Sequence, residues 1–319
     1  MTLIQSLLVI FVIIFIGVIS QRRKIFNPVQ IEGFELFLFK IAMPCFLFSS
    51  TLQHDLTALL DIKYIISYFL TFLVIAGIVS VSIYRTSTAS VLCIKILASG
   101  YVNTAIYALP IITFLLKDPT AGILGNLVQI IMIQSIFIVF LNFIHHKEKS
   151  TVKKLISIFS TPMILMPVLG LFCNYWQINL PTIIIQAIQN IGGGASSIAL
   201  FTFGLTLSGI KINKEIFDKD LLLIIFIKNI MHPLIAFCIG NYILHLEGYW
   251  LSALVIAASG PTAFIIYFIA KQFHIETVLM KRVVAISSMS SLVSLVVITL
   301  ILWESTRLFI SKLLIYNFF

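Results

Sequence analysis

Long apolar runs dominate this chain, and short polar clusters interrupt them. The runs cover approximately 3–21, 33–53, 62–84, 92–116, 122–144, 152–175, 183–210, 221–245, 250–270 and 281–303. A helix needs about 20 apolar residues to cross the hydrocarbon core of a bilayer. Each run therefore predicts one transmembrane helix, and the pattern predicts ten. The fold class read from it is an all-α polytopic membrane protein with short connections and no extramembrane domain. The first run does not read as a cleavable signal peptide. No Lys or Arg precedes it, Arg22-Arg23-Lys24 follows it, and no small-x-small site ends it.

Composition narrows the class further. The chain has 319 residues, of which 60% are apolar and 10% charged, with a mean hydropathy of +1.10. A soluble domain typically carries about 25% charged residues. The polar surface needed by a cytosolic enzyme, a secreted disulfide scaffold or a disordered regulator is missing. The net charge is +9, but the basic residues lie scattered between the apolar runs, which points to membrane topology rather than nucleic acid. Fifteen of the 21 Lys and Arg residues fall on alternate connections or just inside them, four fall on the opposite side, and Lys40 and Lys228 lie inside runs. The positive-inside rule then places both termini outside the cytoplasm, in the inner or plasma membrane of the cell. The four cysteines sit in apolar runs without metal-ligand spacing and read as small buried hydrophobes.

The two halves of the chain resemble each other. A shift of 160 residues lays the first five runs on the last five. Ala98-Ser99-Gly100 falls on Ala258-Ser259-Gly260, Tyr107 on Tyr267, and Pro44 on Gly204, so that one helix breaker meets another. Five is odd, so the second copy enters the membrane from the opposite side. Two inverted five-helix repeats, 1–146 and 147–319, are expected.

Candidate chemistry gathers where helices should break. Run 4 reads Ala98-Ser99-Gly100-Tyr101-Val102-Asn103-Thr104 and continues to Pro110. Run 9 reads Ala258-Ser259-Gly260-Pro261-Thr262. Proline removes one N–H and presses on the carbonyl four residues back. Backbone groups freed in this way cannot face lipid, so they line a polar cavity or lie buried in protein. Two interrupted helices at matching positions of two halves point to a binding site, because half-helix N-termini favour anions and unwound carbonyls take cations. Lys40 and Pro44 lie one turn apart in run 2. Lys40 either snorkels to the interface or lines the path, held by Glu35 or loosened carbonyls. Lys228 and His232 share one helix face in run 8 before Pro233. They serve transport, or they cap polar groups near Pro233. The serines 287, 288, 290 and 291 read as a helix-packing surface.

All twelve acids lie near run ends or in loops, and runs 3–5 and 8–10 have none at their centres. That weakens a carboxylate-based proton relay. Enzyme motifs are also missing. Ala257-Ala258-Ser259-Gly260 approaches the GxSG of intramembrane serine proteases but lacks the first Gly, and the deep His232 precedes the serine. No enzymatic activity is expected.

Four segments resemble the auxin efflux carrier family. Phe39-Lys40-Ile41-Ala42-Met43-Pro44 resembles its proline-broken second helix. Asn103-Thr104-Ala105-Ile106-Tyr107-Ala108-Leu109-Pro110 resembles its first crossover. Leu200-Phe201-Thr202-Phe203-Gly204-Leu205-Thr206-Leu207-Ser208-Gly209 resembles its seventh helix. Gly260-Pro261-Thr262-Ala263, followed by Ala270-Lys271-Gln272-Phe273, resembles its second crossover and exit. The motifs are short, but they occur in order and span most of the chain. The resemblance implies a ten-helix carrier of inverted repeats, related in fold to bile-acid:sodium symporters. Spans 1, 2, 6 and 7 would form a scaffold, and spans 3–5 and 8–10 a mobile transport part moving like an elevator. Crossing broken helices 4 and 9 would hold an organic anion. Plant relatives with long central loops export indole acetate. Here fewer than ten residues join spans 5 and 6, as in the compact microbial branch of malate and malonate permeases. Ala105 and Ala108 replace family glycines, and Phe264 replaces a polar residue, which makes the expected pocket more apolar.

The function expected is elevator-type secondary active transport of small organic anions, mono- or dicarboxylates, across the cell membrane. Asn103, Thr104 and Thr262 would bind the substrate, with Ser99 and Ser259 at the break points and Lys228 supplying positive charge. Gly100, Pro110, Gly260, Pro261, Pro44 and Gly204 would interrupt their helices. No cofactor or metal is expected beyond coupling to sodium or protons. The expected partners are the organic anion, the lipid bilayer and a second copy docked through scaffold helices, with no nucleic acid. Two rival readings are a sodium-coupled symporter of the bile-acid type and a non-transporting membrane sensor of the same fold.

Overall fold

The computed structural model describes residues 3–53, 61–83, 87–145, 148–208 and 218–316. Gly209 of the seventh-helix segment, and Arg85, Lys147, Lys211 and Lys214 among the fifteen basic residues on alternate connections, lie outside the described residues. Those described are helical, with no β-strand beyond one isolated bridge. In chain order the helices are α1 (Leu3–Arg22), α2 (Pro28–Phe37), α3 (Met43–Gln53), α4 (Ile62–Ile83), α5 (Ala89–Gly100), α6 (Leu109–Leu116), α7 (Thr120–Val128), α8 (Ser135–Ile144) and α9 (Glu148–Phe159). They continue as α10 (Pro162–Tyr175), α11 (Thr182–Gly193), α12 (Ala195–Ser208), α13 (Lys219–Phe226), α14 (His232–Cys238), α15 (Gly248–Ala258), α16 (Phe264–Phe273) and α17 (Thr277–Tyr316).

Six helical stretches are long and apolar enough to cross a membrane: Gln5–Arg22, Ile62–Ile83, Thr120–Ile144, Thr182–Leu207, Lys219–Ile243 and Thr277–Ile301. Thr151–Phe159 and Pro162–Tyr175, bent by 53° at Pro162, would make a seventh. Shorter apolar helices follow one another as Ala89–Gly100 and Thr104–Leu116, and as Gly248–Ala258 and Phe264–Phe273. Outward faces are apolar, as lipid requires: Phe15 is 61% exposed and Val293 67%. The protein is a multi-pass membrane protein.

Local chemistry sets the helix ends and bends. Asn27 caps α2 reciprocally: its Oδ1 accepts from the Gln30 amide and its own amide donates to Gln30 Oε1, both at 2.9 Å, with Pro28 at the first helical position. Three interior prolines share one device. Each of Pro44, Pro110 and Pro233 follows a widened π turn, at Leu38–Ala42, Thr104–Ala108 and Ile227–Met231. The carbonyl four residues before each proline, that of Lys40, Ile106 or Asn229, sits at the middle of its turn. Widening the turn moves that carbonyl away from the ring that would strike it.

This device corrects one expectation. Pro44 does not break its helix, because the π turn absorbs it and the helix runs on to Gln53. Gly204 does not break its helix either, since it lies within the continuous α12. Its role is close packing. A Cβ at Gly204 would strike the Ile14 carbonyl of α1, and one at Gly17 would strike the Phe201 carbonyl of α12. Two glycines facing each other let two helix backbones touch.

By packing, the chain divides into two compact units, one of residues 1–7, 62–103 and 212–319 and the other of 8–61 and 104–211. In the second, α3 packs along α10, where Asn174 Nδ2 donates to the Thr51 carbonyl at 3.0 Å and Gly170 backs onto Thr51. Gly192 of α11 sits against the backbone of Phe46. In the first unit, α4 packs on α5 and α14, and the Tyr64 and Trp250 rings lie 5.1 Å apart. Lys40 is exposed and forms no ion pair with Glu35. Of the cysteines, Cys93 is buried, Cys238 is exposed, and the other two are half-buried, all with free thiols. The sequence reading had all four buried. Cys238 differs because α14 turns that face outward, next to the exposed Leu234.

Candidate functional site

The unit of residues 62–103 and 212–319 contains two helix breaks, and they meet. Helix α5 stops at Gly100, where Tyr101 turns extended. A Cβ at Gly100 would fall 2.6 Å from Phe72 Cδ2, so only glycine lets the α4 ring pack against the break. Helix α15 stops at Ala258. Ser259 and Gly260 turn the chain, Pro261 cannot continue a helix, and Ala263 is extended before α16 begins at Phe264.

The two extended segments run antiparallel through a bridge between Val102 and Thr262. The Asn103 amide donates to the Pro261 carbonyl at 2.8 Å, and the Ala263 amide donates to the Tyr101 carbonyl at 3.3 Å. Backbone groups released by each break are thus satisfied by the other. Side chains add to this. Thr262 Oγ1 donates to the Ala98 carbonyl at 2.6 Å, and the Thr262 amide donates to Ser287 Oγ at 3.1 Å.

Each residue singled out from the sequence has a definite place. Gly100, Gly260 and Pro261 stand at the breaks, while Pro110 lies beyond its break, at the second position of α6. Ser259 Oγ donates to the Ile256 carbonyl at 2.7 Å, closing its own turn. Thr104 belongs to the other unit, where its hydroxyl accepts from Gln129 Nε2 at 2.5 Å. Two polar atoms at the crossing have no hydrogen-bond partner although buried: Ser99 Oγ and Asn103 Nδ2. Ser99 is 0% exposed and Asn103 5%. Leaving such groups unpaired costs about 1–3 kcal/mol each.

Lys228 is fully enclosed, and its Nζ lies 2.9 Å from His232 Nδ1. Neighbouring Asn229 bonds Ser290 of α17 through its side chain, and Ser294 Oγ donates to the Asn229 carbonyl at 3.3 Å. That carbonyl is the one freed by Pro233, so a serine hydroxyl supplies the missing donor.

The serine run of α17 is therefore more than a packing surface. Ser287 supports the crossing, and Ser290 and Ser294 hold the π turn. Sequence reasoning also passed over Ser67, whose hydroxyl on α4 is buried without a partner, and Gln129. A polar residue in an apolar run is the signal both carry. Among the described residues no three His, Cys, Asp or Glu side chains gather as a metal site would require.

In the middle of α5, Lys95 Nζ pairs with Asp220 Oδ2 at 2.7 Å, with the lysine 5% and the aspartate 46% exposed. Lys95, counted as a topology marker, is a buried partner of α13 as well. Arg282 lies 3.7 Å from Asp218 nearby.

Comparison with known proteins adds a family. A model of the family described as membrane transport protein matches residues 2–155 and 144–299. The uncharacterized transporter YfdV of Escherichia coli K12 is 26% identical over 294 residues, covering 86% of this chain and 89% of that protein. YfdV from Escherichia coli O157:H7 and from Shigella flexneri match to the same extent.

Proposed function

The chain belongs to the membrane transport protein family, that of the auxin efflux carriers, and from this premise we propose that it is a secondary active carrier of small organic anions, with mono- and dicarboxylates as substrates. The observation that carries the proposal is the crossing at Val102 and Thr262, with the buried, unpartnered Ser99 Oγ and Asn103 Nδ2 beside it. An amide N–H and a hydroxyl can both donate to a carboxylate, and the start of α16 adds helix N–H groups that favour negative charge. Ser99 and Asn103 are the proposed contacts, and Thr262, whose hydroxyl already serves the Ala98 carbonyl, shapes the crossing beside them. Thr104 and Ser259 support the two strands of chain, since their hydroxyls already serve the fold.

Ten spans arranged as two inverted repeats complete the proposal. The pairing of residues supports it. Val102 and Thr262 are mates under the 160-residue shift, as are Asn103 with Ala263 and Tyr101 with Pro261. The two backbone bonds at the crossing, Asn103 to Pro261 and Ala263 to Tyr101, exchange under that shift, as a two-fold axis requires. The side chains do not. Thr262 has a hydroxyl where Val102 has none, and Asn103 has an amide where Ala263 has a methyl. The proposed site is accordingly lopsided, with one amide aimed at one carboxylate. In this reading spans 3–5 and 8–10 move like an elevator against spans 1, 2, 6 and 7, the scaffold also joins two copies, and both termini face away from the cytoplasm in the cell membrane. The coupling ion is sodium or the proton.

Reconstituted protein tests the proposal. Proteoliposomes preloaded with unlabelled malonate, malate, lactate or indole acetate should take up the same labelled anion by counterflow. Absence of counterflow with all four, from protein shown to be folded, contradicts a carboxylate carrier. Uptake that follows a sodium gradient would assign sodium as the coupling ion.

A further inference from the structure

Lys228 and His232 form a closed pair inside the unit that carries the crossing. They are 0% and 4% exposed, and 2.9 Å separates Lys228 Nζ from His232 Nδ1. A lysine ammonium only donates, whereas a histidine ring nitrogen can accept. While Nζ is charged it is the donor and Nδ1 the acceptor, which leaves the ring proton on Nε2. The bond holds whether Nζ carries two hydrogens or three. A proton can enter or leave this pair without displacement of any heavy atom.

The surroundings offer that proton no partner of their own. Helices α4, α5, α13, α15 and α17 pack around the π turn Ile227–Met231 and α14. Among their described inward groups, Lys95 is already paired with Asp220 and Arg282 lies beside Asp218. Tyr64 and Tyr68 on α4, Cys93 on α5 and Tyr249 on α15 are groups ordinarily neutral near pH 7. Lys63, Lys219 and Lys281 on the same helices are exposed. No described carboxylate stands within salt-bridge reach of Lys228. A charge in such a place needs a counter-charge, and a transported anion is one.

A mechanical link already exists. The π turn is held to α17 through Asn229, Ser290 and Ser294, and α17 is held to the crossing through Ser287 and the Thr262 amide. One helix thus touches both places.

Resting on the carrier reading, we infer that the Lys228–His232 pair is the proton-binding site that couples transport, loading one proton with each organic anion. The proton comes from water on one side of the membrane and adds to the Nζ lone pair. The Nζ–H···Nδ1 bond is kept and no other bond forms or breaks. The proton is released to water on the opposite side when the anion leaves.

The test uses full-length protein in proteoliposomes with a pH dye trapped inside and the membrane potential held at zero by potassium and valinomycin. The anion is whichever of malonate, malate, lactate and indole acetate gives the fastest counterflow. An inside-alkaline step of about one pH unit should concentrate it about tenfold, and the dye should report about one proton per anion. In Lys228→Gln and His232→Gln, whatever flux remains should carry no protons. Lys228→Arg should behave likewise, because a guanidinium keeps its charge. Counterflow in the wild type with no response to the pH step overturns the inference while leaving the carrier reading intact, and this arm needs no variant to fold. A proton count still near one in Lys228→Gln also overturns it. Accumulation driven by sodium and indifferent to pH does the same. No counterflow at all removes the carrier reading, and the inference falls with it.

Discussion

Thr262 donates its hydroxyl hydrogen to the carbonyl of Ala98, 2.6 Å away and 164 residues earlier in the chain. The bond fastens the end of α5 to the turn that precedes α16. Ala98 O is one of the carbonyls that helix α5 leaves without an internal partner, and in a buried place it needs one. Thr262→Val keeps the shape and removes the donor. It should lower stability by about 1–2 kcal/mol, read as a lower unfolding temperature of the detergent-purified protein. Thr262→Ser, which keeps the hydroxyl, should stay near the wild type. Equal losses in both variants would show that the methyl, not the bond, matters.

Gly204 and Gly17 make a second prediction. Gly204→Val places atoms on the Ile14 carbonyl, and a backbone cannot yield as a side chain can. Overpacking of this kind costs about 1–3 kcal/mol or more, so monodisperse protein should largely disappear on size-exclusion chromatography. Gly33→Ala is the control, because nothing lies within 4 Å of a Cβ there. It should match or slightly exceed the wild type, as alanine favours helix over glycine. Similar behaviour of the two variants would contradict the close approach of α1 and α12.

Much of the fold was legible from the sequence, because the bilayer imposes a coarse rule. Apolar runs near span length became helices, and Ser99-Gly100 and Gly260-Pro261 mark the places where α5 and α15 end. What escaped was how a proline is accommodated. Pro44, Pro110, Pro233 and Pro261 look alike in sequence. Three are absorbed by π turns and one stands in an open break. The difference lies in whether the residues around the proline can stay helical: Gly260 directly before Pro261 and the extended partner segment at 101–103 favour the break. Gly204 was misread for a related reason. Glycine permits both bending and close contact, and only the position of Ile14 on another helix decides between them. The serines at 287, 290 and 294 resemble packing residues until their partners, 25 to 65 residues away, are known.

The π turn before Pro233 can be probed directly. Ser294→Ala removes the hydroxyl that serves the Asn229 carbonyl and should cost about 1 kcal/mol. Pro233→Ala restores an N–H that can reach the same carbonyl. In that background Ser294→Ala should cost clearly less. A double-mutant cycle of unfolding temperatures measures the coupling, and strict additivity would mean that the serine and the proline do not act on one carbonyl.

Asp220 holds the buried Lys95 ammonium. Asp220→Asn leaves that ammonium without its carboxylate and should destabilise by about 1–3 kcal/mol, less than for a fully enclosed pair because the aspartate is 46% exposed. Lys95→Met combined with Asp220→Asn should recover most of the loss. Failure to recover would place the effect in helix capping around Asp218, which accepts from the Leu221 amide at 2.7 Å.

The central claim is that the crossing binds the carboxylate, and Asn103→Ala tests it most directly by thermal unfolding with and without ligand. The wild type should be stabilised by whichever carboxylate it transports, in proportion to RT ln(1 + [L]/Kd). Without ligand, Asn103→Ala should unfold at the wild-type temperature or above it, because it discards a buried amide nitrogen that has no partner. With ligand, its stabilisation should vanish. An undiminished ligand-induced shift in Asn103→Ala would contradict the assignment of the crossing as the binding site.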